Sequence, residues 1–129
     1  MPKEAYDLDS SVTPAMRDQL LQKLKTLPSA PGVYFHKDAK GEVIYVGKAA
    51  VLKNRVRQYF HHSPKDPKTT ALVREIADTD WLVVDTEMDA LFLESEMIKR
   101  YKPKWNILLR DDKTVNYVRV DFKSEVPYV

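Results

Sequence analysis

Apolar residues first recur at helical spacing at Met16, Leu20 and Leu24, behind Thr13 and Pro14, an N-cap and a first-turn residue. A helix is therefore predicted from Thr13 to just short of Pro28. Residues up to about Val12 carry no period and read as a tail, which leaves residues 13–129 as the folded part. Pro31-Gly32 interrupts the chain, and the alternation of Val33-Tyr34-Phe35-His36 then suits a strand. Asp38-Ala39-Lys40-Gly41 supplies a turn into a second strand, Glu42 to Val46, so the sheet begins with a β-hairpin. After Gly47, Leu52, Val56 and Phe60 mark one face of a second helix, with Lys53, Arg55 and Arg57 on other faces. Ser63 to Pro67 reads as a loop, and Leu72, Val73 and Ile76 suggest a third helix. Trp81 to Val84 reads as a buried third strand. Thr86 and Asp89 fit a capping box, with Asp in place of the usual Glu, opening a fourth helix that runs to about Arg100, before Pro103. A last strand is expected over Val115 to Val120. The elements add up to one small α/β (α+β) domain, a short and mostly antiparallel sheet flanked by helices.

A chain of 129 residues, 43% hydrophobic, suffices for one core. The absence of cysteine excludes a disulfide scaffold and a thiolate zinc site, and three histidines leave little for an imidazole cage, so a metal would rest on oxygen ligands. No secretory signal and no uncharged stretch of bilayer length is present, which makes the cytoplasm the expected location. The net charge is only +2, but it is unevenly placed. Tyr45 to Arg74 is basic, with Asp66 its one acid; Glu75 to Glu96 holds acids and no base; Met97 to Lys113 is basic again. Two basic blocks around an acidic one suit a polyanion-binding surface with carboxylates at its centre, although charges scattered over a solvated surface would give the same count.

One acid in the central block is out of place. On the fourth helix Ala90, Leu91, Met97, Ile98 and Tyr101 fall within an arc of roughly 120°, and Glu94 lies in the middle of it. A carboxylate in an apolar face is costly unless it is paired or holds a cation. Either it meets a lysine or arginine from another element, or Phe92 and Leu93 define the true buried face, or it is a functional ligand.

Gly32-Val33-Tyr34 and Tyr45-Val46-Gly47, on the two arms of the hairpin, resemble the signature of the GIY-YIG nuclease family, with valine for isoleucine in both triplets. Lys48, Arg55, Glu94 and Asn106 follow in the family's order. Leu27 to Tyr34, Tyr45 to Ala49, Leu91 to Glu94 and Leu109 to Lys113 together look like the N-terminal domain of the UvrC branch. The departures are a long segment before the first helix and Val115-Asn116 where an aromatic residue and a proline are common. The resemblance implies a DNA endonuclease domain, part of a longer subunit, that makes the 3′-side incision of nucleotide excision repair on damaged double-stranded DNA after UvrB has recruited it. A standalone nuclease of this type, or a non-catalytic DNA-binding or docking module on the same fold, are the alternatives.

The same resemblance assigns catalysis to Tyr34, Tyr45, Lys48, Arg55, Glu94 and Asn106. Glu94 is the expected ligand of one divalent cation, Mg²⁺ with Mn²⁺ as a substitute, held mostly by water. One well-placed acid favours a single-metal scheme; Asp111-Asp112 suits a turn better than a second ligand. Tyr45, with Lys48 or the metal's hydration shell favouring the phenolate, would take a proton from the attacking water, and Tyr34 would orient water or phosphate, although the base could be either ring. Arg55 is the clamp on the developing phosphate charge, and Asn106 positions the active-site loop or the substrate. Lys53, Arg57, Lys65, Lys68, Lys102 and Lys104 read as non-specific phosphate contacts, and His61-His62 as surface.

Overall fold

The computed structural model describes residues 9–61 and 65–109. Helix α1 (Pro14–Lys23) starts as its sequence dictates: the Thr13 side chain accepts the Met16 amide and Pro14 sits in the first turn. It tightens into a 3-10 turn over Leu24–Thr26. The hairpin follows, β1 (Gly32–Lys37) and β2 (Val43–Ala49), closed by a turn in which the Asp38 carboxylate accepts the Lys40 and Glu42 amides and Gly41 takes a positive φ of 86°. Next come α2 (Leu52–Gln58) and α3 (Pro67–Glu75), the latter capped by Asp66. Strand β3 (Asp78–Val83) and helix α4 (Glu87–Tyr101) complete the frame, with a further helical segment over residues 104–109. The last strand expected over Val115 to Val120, and Asp111-Asp112, lie outside the described residues.

The sheet has the order β2-β1-β3, and both pairings are antiparallel. Side-chain alternation divides it into two faces. Tyr34, Tyr45 and Ala49 pack with residues of α1, α2 and α3; Val33, Phe35 and Val46 pack with Ala90, Leu93, Met97 and Ile98 of α4. A short antiparallel sheet flanked by helices is the architecture expected, and the described residues supply three of its strands, but two details differ.

The third strand begins three residues earlier than predicted and is buried only in part, at Thr79 and along Trp81. Among the described residues it pairs only with β1, so Leu82 and Val83 lie at an open edge, 49% and 55% exposed. The buried face of α4 also differs. It contains Leu93 rather than Leu91: Ala90, Leu93, Met97 and Ile98 meet Val33, Phe35 and Val46, while Leu91, Phe92 and Tyr101 are largely exposed. Glu94 still falls inside the corrected arc, which spans roughly 140° from Leu93 to Ile98. The capping box forms as read, Thr86 Oγ1 accepting the Asp89 amide and the Asp89 carboxylate accepting that of Thr86. At the other end Lys102 takes a left-handed conformation ahead of Pro103.

Residues 9–12, read from sequence as the end of a tail, lie against the fold. The Asp9 amide donates to the Arg74 carbonyl at the end of α3, and Val12 is buried.

Candidate active site

The two glycine-tyrosine triplets face each other across the hairpin because the register pairs Tyr34 with Gly47. A Cβ on Gly47 would land on the Cζ and hydroxyl of Tyr34, so that phenol runs directly over the bare backbone of β2. Gly32 answers a similar demand: a Cβ there would meet the Leu82 carbonyl and come within 2.6 Å of Leu52 Cδ1. Both glycines are therefore required by close approach rather than by backbone angle. Gly47→Ala should push the Tyr34 ring out of place, at a cost of roughly 1–3 kcal/mol of stability and about a hundredfold in single-turnover nicking. Wild-type nicking in that variant would show that the Tyr34 position is irrelevant.

Tyr34 does not stand alone. Its hydroxyl lies 2.7 Å from that of Tyr59, the first residue beyond α2. The rings of Tyr34, Tyr45 and Tyr59 lie 5.7 to 6.4 Å apart, centre to centre. Tyr59 is 7% exposed and was missed by sequence reasoning. The signal was present: Leu52, Val56 and Tyr59 stand at i, i+4 and i+7, whereas Phe60 had been taken as the third member of that face.

Arg55 joins this cluster, while Lys53 and Arg57 do not. On a helix it sits roughly 40° from Tyr59 and well away from the other two. Its guanidinium carbon lies 5.5 Å from the Tyr59 ring centre, Nη1 donates to Gln58 Oε1 at 3.2 Å, and its charge acts on the Tyr34 phenol. The nearness of Tyr34 is the main reason that Arg55 holds its proton more firmly than usual.

Burial raises all three phenols. Tyr34 is pushed up to about 12 by desolvation first and then by Tyr45, with Tyr59 and Arg55 pulling the other way. Tyr45 is raised by burial and by Tyr59, and Glu94 adds to the rise while Arg55 opposes it. Tyr59 is raised as well, by burial and then by Tyr34. A phenol whose folded value exceeds its ordinary value of 10.0 contributes stability that is fully present below pH 10 and lost as pH climbs through the folded value. The melting temperature should accordingly fall steeply between about pH 10 and pH 12, phenolate absorbance from these rings appearing only with unfolding. Smooth titration of every tyrosine near pH 10 without loss of structure would contradict their burial.

Glu94 acts electrostatically on Tyr45 and is half-buried on the inward arc of α4. Among the described residues no group of three or more His, Asp or Glu side chains gathers to form a metal cage. A cation on Glu94 would thus draw most of its coordination from water, which suits Mg²⁺, a small ion that dehydrates reluctantly. The residues present fit such a group.

Asn106 turns out to be tied to the backbone. Its Nδ2 donates to the Val46 carbonyl at 2.9 Å and its Oδ1 accepts the Val46 amide at 2.8 Å. It behaves as a one-residue strand neighbour on the outer edge of β2 and fixes the second triplet from outside. Lys48 lies apart from the tyrosines. It shares the α4 face of β2 with Val46, is exposed, and borders a cavity of about 220 Å³ with Ala50, Met88 and Leu91. Arg55, rather than Lys48, is the cation whose charge favours ionisation of Tyr45.

The remaining basic residues are scattered in role. Lys68 Nζ donates to the Leu108 carbonyl at 3.0 Å, and Lys104 pairs with Glu75 at 2.9 Å, so both tie residues 104–109 to α3. Lys65 Nζ donates to the His61 carbonyl, Lys102 caps α4, and Lys53 and Arg57 line α2.

Residues 30–107 match the family model of the UvrC-like GIY-YIG domain. Similar curated proteins include the UvrABC system protein C of Caldicellulosiruptor saccharolyticus, 54% identical over 101 residues that make up 78% of this chain and 17% of that protein. The corresponding protein of Thermoanaerobacter pseudethanolicus is 51% identical over 109 residues, 84% of this chain and 18% of that one. The chain thus spans less than a fifth of the length of these relatives. Among solved structures it resembles the GIY-YIG N-terminal endonuclease domain of UvrC from Thermotoga maritima bound to its catalytic divalent cation, magnesium. The TM-score is 0.62 at 38% identity, over 68% of this chain and 96% of that one. Tyr→Phe and Asn→Ala point mutants of the same domain, bound to the catalytic cation, match equally well.

Proposed function

The chain belongs to the UvrC-like GIY-YIG family, and from that premise we propose that it is a DNA endonuclease domain working with one divalent cation, Mg²⁺, held by Glu94. The observation that carries the proposal is the cluster of Arg55 with the largely buried trio Tyr34, Tyr45 and Tyr59 behind the second triplet, with Glu94 near enough to act electrostatically on Tyr45. The magnesium bound to the Thermotoga maritima domain supports the choice of ion.

Hydrolysis of a phosphodiester requires a water to lose a proton as its oxygen attacks phosphorus, and the ester oxygen opposite to depart with the bonding pair. Arg55, exposed at the surface beside the phenols, offers a planar fork to the non-bridging oxygens. Tyr45 accepts the water's proton as its phenolate, having first released its own proton to solvent. Its phenol is held neutral by burial and by Glu94, so it needs a compensating positive charge. The cation on Glu94 supplies that charge together with Lewis-acid stabilisation of the phosphate. Tyr34, hydrogen-bonded to Tyr59 and close to the Arg55 charge, orients the attacking water, and Asn106 holds β2, and with it Tyr45, from the strand's outer edge. Lys48 stands one residue past the second triplet, exposed, where it meets a flanking phosphate; Lys53, Arg57, Lys65, Lys68, Lys102 and Lys104 contribute weaker, salt-sensitive contacts to the backbone.

Within a UvrABC-type system this domain makes the 3′-side cut in damaged double-stranded DNA presented by UvrB, which it reaches through parts of a longer protein, in the cytoplasm. No described helix is long and apolar enough to cross a membrane. The test is single-turnover nicking of lesion-bearing duplex with Mg²⁺, by this domain within the UvrABC proteins. Tyr45→Phe should slow it about a hundredfold, the usual worth of a general base. Full turnover by Tyr45→Phe, with loss in Tyr34→Phe, would move the base to Tyr34.

A further inference from the structure

Behind the tyrosines lies a polar group that the reaction does not use. His36 is fully buried on β1, two residues from Tyr34, paired across the sheet with Tyr45 on one side and Thr79 on the other. Its ring centre is 4.6 Å from that of Tyr59, at an interplanar angle of 80°; 5.2 Å from Tyr34; and 6.1 Å from Tyr45, nearly parallel. Apart from the tyrosines themselves, no other ring among the described residues meets all three.

Nδ1 lies 2.9 Å from Oγ1 of Thr79, itself fully buried, while Nε2 is buried with no hydrogen-bond partner. Burial, with Arg17 and Arg55 acting in the same direction, pushes the imidazole down to about 3, so the ring is neutral. A phenylalanine would fill this volume without the cost of burying polar atoms, and a lone hydroxyl-imidazole pair in an aromatic core adds little to stability. Filling space does not account for the pair.

We propose that His36 is a positioning residue for the tyrosine trio, its tilt set by the Thr79 hydroxyl donating to Nδ1, so that Nε2–H meets the Tyr59 ring and holds Tyr59 against Tyr34. The proposal rests on the nuclease reading of those tyrosines. Which nitrogen carries the proton follows from the surroundings. An N–H directed at an aromatic ring is weakly attractive, whereas a bare lone pair there is not. With Nε2 protonated, Nδ1 must accept, and Thr79 is the donor in reach. Displacement of Tyr59 then breaks the 2.7 Å contact through which it fixes the Tyr34 hydroxyl. Thr79, on the far strand of the sheet, becomes a remote determinant of the site.

The decisive variants are Thr79→Val, which removes only the hydroxyl, and Thr79→Ser, which keeps it. Thr79→Val should lower the single-turnover nicking rate roughly tenfold, with substrate affinity unchanged and the melting temperature unchanged or higher. Thr79→Ser should restore the rate. His36→Phe should fall to the same level, and its combination with Thr79→Val no lower. Long-range proton–nitrogen NMR of the wild-type domain should find the imidazole proton on Nε2. A proton on Nδ1, or nicking by Thr79→Val at the wild-type rate, overturns the proposal. A parallel fall of rate and melting temperature that serine does not rescue also overturns it, because it marks a purely structural pair. Should the wild type itself fail to nick, the nuclease reading falls, and the positioning role is decided by NMR: Tyr34 and Tyr59 ring resonances unmoved by Thr79→Val would refute it.

Discussion

Glu94→Gln should reduce incision by about a thousandfold or more while leaving the melting temperature near that of the parent. The size follows from what a single-carboxylate site can spare. A cation held through one side chain and several waters has no second protein ligand to fall back on, and a neutral amide attracts a divalent ion far less than a carboxylate. Losing the ion removes both the charge that favours the Tyr45 phenolate and the stabilisation of the phosphate, each worth several kcal/mol in a partly desolvated site. The small stability effect follows from position. Glu94 is half-buried within an arc built by Ala90, Leu93, Met97 and Ile98, and those residues, not the carboxylate, seat α4 on the sheet. Glutamine has the same length, and relieving a carboxylate of an apolar setting offsets the lost interactions. Omission of Mg²⁺ or addition of a chelator should reproduce the defect in the parent and change nothing in the variant. Substantial cutting by Glu94→Gln would remove the metal role from this residue.

Arg55→Ala should cost between about a hundredfold and a thousandfold in rate, the range measured when a preorganised donor to a developing oxyanion is removed. Arg55 differs from the other basic residues of α2 by its neighbours. It stacks over Tyr59, and its positive charge favours ionisation of Tyr34, Tyr45 and Tyr59 alike. Its loss therefore removes the phosphate clamp and leaves the phenols harder to ionise. Arg55→Lys should recover little, because an ammonium lacks the planar fork and cannot reach two oxygens and the Tyr59 ring together. Lys53→Ala and Arg57→Ala are the controls: each should weaken DNA binding modestly and lessen its salt dependence, with the rate at saturation intact. Equal losses from all three substitutions would reduce Arg55 to one more phosphate contact.

Much of this was legible in the sequence because local signals agreed with the fold. Thr13-Pro14, Asp38 with Gly41, and Thr86 with Asp89 are short-range devices that work the same way wherever the chain puts them, and each forms as expected. Glu94 could be singled out because a carboxylate inside an apolar arc conflicts with burial, and the conflict survives replacement of Leu91 by Leu93 in that arc. What escaped was set by tertiary placement. Whether Trp81 to Val84 is central or at an edge depends on strand order, which periodicity does not encode. Leu91 and Tyr101 have the right spacing for burial, yet each is half-exposed in the folded chain. Lys48 follows the tyrosine triplet directly, yet strand alternation sends it to the opposite face from Tyr45. Asn106 gave no sign in the sequence that both its amide groups would clamp Val46, sixty residues away.

The central claim is that Glu94 holds a divalent cation beside the tyrosine trio, and a crystal soaked in Mn²⁺ tests it without waiting on any partner protein. The account predicts an anomalous peak at the Glu94 carboxylate, completed mainly by water and facing Tyr45. No ion at Glu94, with its carboxylate instead engaged by a lysine or arginine, would contradict it and favour a binding module on the same fold.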